Sequence, residues 1–296
     1  MKSRDCADAT SHDSTPAFNK RAAFRAGAKM NRIDIVLKEN PPGLWPFLSA
    51  GYPSLLATAE MLRAFDALPI RGVELGFPFS DPIADGPVIQ QSFTHSLNHG
   101  TRISAIFDMI TSVRRHVRYP ILAMASATLV YRIGVDEFAA RAGRAGVDGL
   151  IIPDISLEEA PQLAAGAERE GLRLAMLIAP TTPPERQARI ARIASGFLYY
   201  VSVQGTTGQR KVLPSDLKDH VRQVRTTSGL PVIVGFGIST PEHVRAVCGF
   251  ADGAIVGSAI VGRIAHDLER GLAEPEIVAG ASTFVAELAA GAAAHS

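Results

Sequence analysis

Val73-Glu-Leu-Gly-Phe-Pro-Phe-Ser-Asp-Pro-Ile-Ala-Asp-Gly-Pro87 begins as a strand and breaks into a loop rich in proline, glycine and acidic residues. Ile70 and the Val73/Leu75 alternation give the strand its apolar face, and the Pro/Gly run ends it. Glu74 lies between two apolar residues, so its side chain points to the face opposite theirs. In a barrel of parallel strands one of those faces is the interior, where a carboxylate is costly unless it is paired or functional. Asp81 and Asp85 follow on the loop. A carboxylate on a strand and another on the loop after it suit acid/base work, because their surroundings can push their pKa values apart. Read as local structure alone, Glu74 is a strand-end surface residue and the two aspartates are turn formers.

The same strand-loop-helix pattern repeats outward from this stretch. Upstream, Ile33, Ile35, Val36 and Leu37 predict a short amphipathic helix over residues 30–39, ended by Pro41-Pro42-Gly43. Strand one is predicted at 44–48, with Ser54 capping a helix from Leu55 to Leu68. Downstream, residues 87–98 form an extra helix, and Thr101 caps a helix to Val117. Later strands fall at 120–125, 149–153, 173–178, 196–202, 231–235 and 253–256. The continuous apolar run Gly149-Leu-Ile-Ile-Pro153 suits a strand buried on both faces, and Asp154 follows it. Helices are predicted at 135–145, 157–170, 183–194, 217–226 and 240–247, with a closing helical region to about 289. Eight strands alternating with helices mean parallel pairing with crossovers. Eight such units in roughly 250 residues give a single (β/α)8 TIM barrel with an extra N-terminal helix. No Gly-x-Gly-x-x-Gly follows the first strand, which removes support for an open dinucleotide-binding sheet.

Composition narrows the setting. The 296 residues are 47% hydrophobic, ample for a large core. Thirty basic and 29 acidic residues leave a formal charge of +1, which points to no nucleic-acid or anionic-membrane partner. Cys6 and Cys248 are far apart and make neither a disulfide framework nor a metal cluster. No run approaches the length of a membrane span. Residues 1–29 are polar, without the apolar core of a secretory signal. They read as a disordered leader, or as the result of a start assigned ahead of Met30. The catalytic domain is expected over 30–296, in a cytoplasmic setting.

In this barrel class the active site lies at the C-terminal ends of the strands. Phe47, Glu74, Asp85, Tyr199, Thr207 and Gly208 fall there, as do Phe236, Gly237, Gly257 and Ser258. Gly235-Phe-Gly237 and Gly257-Ser258 close the last two strands, where barrels often bind phosphate through backbone N–H groups and a helix N-terminus. Gly208 adds a further donor from the sixth loop.

From Met30 onward the chain resembles the tryptophan synthase alpha chain family. The resemblance rests on the Glu74–Pro87 run, Pro46-Phe47-Leu48, Gly146-Val-Asp-Gly-Leu-Ile-Ile-Pro-Asp154 and Ala179-Pro-Thr-Thr182. Gly196-Phe-Leu-Tyr199, Gly205-Thr-Thr-Gly208, Gly235-Phe-Gly-Ile238 and Val256-Gly-Ser-Ala-Ile-Val261 extend it. It implies retro-aldol cleavage of indole-3-glycerol phosphate to indole and glyceraldehyde 3-phosphate, with no metal or organic cofactor. It implies Glu74 as the proton shuttle and Asp85, kept ionised, as acceptor of the indole N–H. Thr207 positions the loop and Asp85, Phe47 and Tyr199 line the indole pocket, and Gly208, Gly237, Gly257 and Ser258 hold the phosphate. It further implies a beta-chain partner in an alpha2-beta2 tetramer.

Two stretches depart from the family pattern. Met124-Ala-Ser-Ala-Thr-Leu129 stands where a Met-Thr-Tyr-Tyr-Asn-Pro pattern is common, and Gly51-Tyr52-Pro53 lacks the usual acidic residue. Both leave Glu74 and Asp85 in place but bear on docking to a beta chain. Two rival readings follow: a stand-alone lyase that releases free indole, and a non-catalytic partner that binds the phosphate ligand and regulates a beta chain.

Overall fold

The computed structural model describes residues 30–82, 85–201, 213–235 and 237–293. Eight parallel strands close in chain order into a barrel. They are β1 Gly43–Ser49, β2 Val73–Gly76, β3 Ile121–Met124, β4 Gly149–Ile151, β5 Arg173–Ile178, β6 Leu198–Val201, β7 Val232–Gly235 and β8 Gly253–Val256. The register sets Glu74 beside Phe47 on one side and Leu122 on the other. One layer below, Trp45 is fully buried. A Cβ at Gly72 or Gly253 would run into its indole, so those two glycines make the room it occupies.

The N-terminal end of the barrel is plugged by α1, Arg32–Glu39. Asn31 and Asp34 form a capping box there, each accepting from the other's backbone N–H. Ile33 packs against Gly149 and Gly196, and Asn31 Nδ2 donates to the Asp148 and Gly171 carbonyls at 2.8 and 3.1 Å. Every buried charge at this end has a partner. Arg173 Nε bonds both oxygens of Asp34 at 2.9 and 3.0 Å. Asp148 meets Arg32 and Arg114 at 3.0 and 3.1 Å and also accepts from the Ile121 N–H.

The outer helices are α2 Leu55–Phe65, α3 Pro87–Asn98, α4 Ile103–Arg114, α5 Ala127–Ile133, α6 Val135–Ala145, α7 Ala160–Arg169, α8 Pro184–Ile193, α9 Leu217–Ser228, α10 Pro241–Cys248, α11 Ser258–Glu269 and α12 Glu274–Ala293. Several bounds shift by one to three residues from the sequence expectation, and three departures have a visible cause. α4 starts one residue late, with Arg102 at its N-cap, because Thr101 packs its side chain where a Cβ on Gly51 would sit instead of capping. α5 was not expected; it has only seven residues, and Ser126 caps it by accepting from the Thr128 N–H at 3.2 Å. The closing helical region is two helices, separated where Gly271 takes φ +73. Cys248 is buried at the end of α10, as its apolar setting predicts. No helix among the described residues is long and apolar enough to cross a membrane.

Candidate active site

At the opposite end of the barrel the carboxylates are treated differently. Glu74 sits on β2 at 1% exposure, and its Oε2 has no hydrogen-bond partner among the described residues. An orphaned buried carboxyl oxygen is rare in a native structure and calls for an explanation. Burial, reinforced by the charge of Asp85, pushes the Glu74 carboxyl up to about 8. It is therefore a protonated acid at neutral pH.

Asp85 is fixed by its backbone. Its N–H bonds the Pro82 carbonyl at 3.1 Å, closing a turn. Gln90, one turn into α3, donates from Nε2 to the carbonyls of Asp85 and Pro82 at 2.8 and 3.1 Å. α3 is pinned to the end of β1 by Ser49 and Ser92, whose hydroxyls lie 2.6 Å apart in a buried pair. Ser92 spends its hydrogen on the Ile89 carbonyl, so Ser49 is the donor between them. Burial, then the charge of Asp154, pushes the Asp85 carboxyl up to about 6. The sequence reading of Asp85 as simply ionised is thus sharpened: it is mostly ionised at neutral pH but titrates well above the usual aspartate range.

Tyr199 on β6 is buried, and its phenol is pushed well above its ordinary value by burial and then by Glu74 and Asp85. Its hydroxyl fills the space over Gly235, where a Cβ would collide with it. Gly235 therefore makes room for Tyr199. Phe47 stands beside Glu74 in register, and a Cβ at Gly76 would be 2.5 Å from its Cζ. Gly237 takes φ +76, a left-handed conformation that a side chain would strain. Gly257 and Ser258 open α11 directly after β8, and no side chain caps that helix N-terminus. Thr207, Gly208 and Phe236 lie outside the described residues.

The sequence reading passed over Asp154 and Ser126 as site residues. Asp154 accepts from the Ser126 hydroxyl at 2.8 Å and from the Ala127 N–H at 2.7 Å, so it links the end of β4 to the start of α5. It also lines, with Asp85, a cavity of about 230 Å³ beside the carboxylate pair. An aspartate directly after an apolar strand, and a serine ahead of a short helix, were the available signals.

The family model described as tryptophan synthase alpha chain matches residues 34–289. The chain belongs to the tryptophan synthase alpha chain family. An alpha chain from Chloroflexus aggregans is 45% identical over 246 residues, which cover 83% of this chain and 90% of the relative. The solved alpha subunit of Legionella pneumophila superposes with a TM-score of 0.82 at 32% identity, covering 90% of this chain and all of that one. A chain from the Pyrococcus furiosus tryptophan synthase α2β2 complex superposes at 0.76 with 37% identity, covering 83% and 97%. The tryptophan synthase alpha fold is thus present along the barrel, closed, with Glu74 and Asp85 at its C-terminal end.

Proposed function

We propose that this chain is the alpha subunit of a tryptophan synthase, a lyase that cleaves indole-3-glycerol phosphate to indole and glyceraldehyde 3-phosphate. The observation that carries the chemistry is the orphaned, protonated Glu74 next to an ionisable Asp85. Glu74 gives its proton to C3 of the indole ring, which makes that ring an indolenine-like cation. Asp85, ionised, accepts the ring N–H and stabilises the positive charge as it develops. The Glu74 carboxylate then takes the proton of the glycerol hydroxyl on the carbon attached to C3. The C–C bond breaks, its electrons return to the ring, and the aldehyde leaves. One proton is given and one recovered, so a single carboxyl serves both steps.

Phe47 and Tyr199 wall the indole, Thr207 positions the loop and Asp85, and Phe236 completes the pocket. Gly208 and Gly237, from the loops after β6 and β7, and Gly257 and Ser258, at the start of α11, hold the phosphate with backbone N–H groups. The barrel of residues 30–296 is the catalytic unit, preceded by a leader over 1–29. Its partner is a tryptophan synthase beta chain in an alpha2-beta2 tetramer, and it works in the cytoplasm. The balanced charge and the absence of a membrane-length helix among the described residues agree with that setting.

The test is indole release from indole-3-glycerol phosphate by the purified chain, alone and with a beta chain. Slow release that rises sharply with the partner is expected. Brisk release alone would instead favour a stand-alone lyase. No release under either condition, with the phosphate ligand still bound, would leave only a regulatory role.

A further inference from the structure

The cavity beside Asp85 is not part of the reacting layer. Glu74, Phe47 and Tyr199 are absent from its wall, whereas Phe77, Phe79, Phe93, Met124 and Pro153 form part of it. Asp85 borders both the cavity and the reacting pair. After Met124, at the end of β3, the wall continues with two small residues, Ala125 and Ser126. The polar atoms there are already engaged, since Asp154 is held by the Ser126 hydroxyl and the Ala127 N–H. The space therefore offers mainly apolar contact and room; its carboxylates are Asp85, Asp154 and the exposed Asp81, which accepts from the Ser80 hydroxyl.

Ring geometry decides what enters it, on the reading of function given above. In indole, carbon 7 is bonded to the fusion carbon next to the nitrogen, and carbon 6 follows it. Carbon 4 lies beside C3. With the N–H on Asp85 and C3 at Glu74, groups on carbons 6 and 7 are directed past Asp85 into the cavity. A group on carbon 4 is directed into the Glu74–Phe47 layer, which is packed so closely that Gly76 has no room for a Cβ.

We infer that Ala125, Ser126 and the cavity behind Asp85 make this enzyme accept indole-3-glycerol phosphates bearing a methyl or chloro group at ring carbon 6 or 7, with Ser126 as a specificity-determining residue. Small apolar substituents gain contact there, because an apolar space of this kind otherwise leaves its lining atoms without partners. Hydroxyl and amino substituents gain less against Phe77, Phe79, Met124 and Pro153, which offer them no polar partner in place of water.

The experiment compares kcat/KM for the parent substrate and its 6-chloro, 7-methyl and 4-methyl forms in the wild type, Ser126→Tyr and Ser126→Thr. Wild type is expected to cleave the 6- and 7-substituted forms within about tenfold of the parent, and the 4-methyl form roughly 10–200-fold less well. Ser126→Tyr, which puts a ring into the cavity, is expected to lower the 6- and 7-substituted-to-parent ratios by roughly 10–200-fold. Because a ratio is read, any loss common to all substrates cancels. Ser126→Thr keeps the hydroxyl for Asp154 and adds one methyl, so it should lower the same ratios by less, and it decides the matter should Ser126→Tyr not fold. The inference is overturned if wild type cleaves the parent but rejects the 6- and 7-substituted forms as strongly as the 4-methyl form. It is also overturned if neither variant moves the ratios. Failure to cleave the parent would instead overturn the reading of function. The cavity would then be judged by direct binding of 6-chloroindole, with tenfold tighter binding to wild type than to the Ser126 variants supporting it and equal binding overturning it.

Discussion

Glu74→Gln should make the protein more stable as the pH rises, while abolishing its activity. In the unfolded chain this carboxyl ionises near 4.5, but in the barrel it does so at about 8. Above pH 4.5 the unfolded state sheds the proton and the folded state keeps it, so rising pH favours unfolding. The penalty grows by about 1.4 kcal/mol per pH decade until the folded carboxyl also ionises near 8. At pH 7 roughly two and a half decades have accumulated, or about 3 kcal/mol. Glutamine keeps the shape and does not titrate. Its buried amide carries its own cost of about 1–3 kcal/mol, but that cost is the same at every pH. The discriminating quantity is therefore the change in the variant's advantage between pH 4.5 and pH 7, expected at about 3 kcal/mol. Urea unfolding of both proteins at the two pH values measures it. Indole release should fall by at least roughly 100-fold. Parallel pH dependence of stability in the two proteins would refute the argument that Glu74 is held protonated by burial, and with it the proton shuttle.

Three further outcomes are expected. The kcat/KM profile should be bell-shaped, with apparent limbs near 6 and 8 that belong to the coupled Asp85–Glu74 set. Asp154→Asn removes the charge that raises Asp85, so the acid limb should move to lower pH, and an unmoved limb counts against that coupling. Gly235→Ala forces a Cβ into the Tyr199 hydroxyl and should cost about 1–3 kcal/mol in urea unfolding, with KM raised as the phenol is displaced. Arg173→Ala leaves the fully buried Asp34 without its main partner and should cost about 3–5 kcal/mol. Because it acts at the far end of the barrel, kcat should hold, and a fall in kcat with stability intact would contradict that separation.

The barrel was legible because each strand is an apolar run and each connection carries its own punctuation. β5, α3 and β8 fall on the predicted residues, since Pro87 opens α3 and Gly253 opens β8. The misses have local causes. Thr101 has the composition of a cap, yet its side chain is committed to Gly51, a contact fifty residues away that no window reveals. α5 is shorter than the periodicity a helix needs to declare itself. Glu74 and Asp85 were visible as an odd pair of acids on an apolar strand and its loop. The link from Asp154 to Asp85 was not, because it depends on two loops converging after β2 and β4.

The two ends of the barrel put the same residue type to opposite uses. Asp34, Asp148 and Asp252 are buried like Glu74, but each is matched by arginine: Arg173, Arg32 with Arg114, and Arg225. The arginines offset part of their desolvation, though burial still pushes the Asp148 carboxyl upward, and the strands that Asp148 and Asp252 bond are fixed in place. Among the described residues, no lysine or arginine pairs with Glu74, Asp85 or Asp154, and each of the first two is pushed upward partly by an acidic neighbour. One arginine at the C-terminal end would stabilise the fold by lowering those carboxyls. It would also ionise Glu74 at neutral pH and leave no proton to give C3. The lack of a cation beside Glu74 among the described residues therefore suits the chemistry, and its cost is the stability that Glu74→Gln should recover.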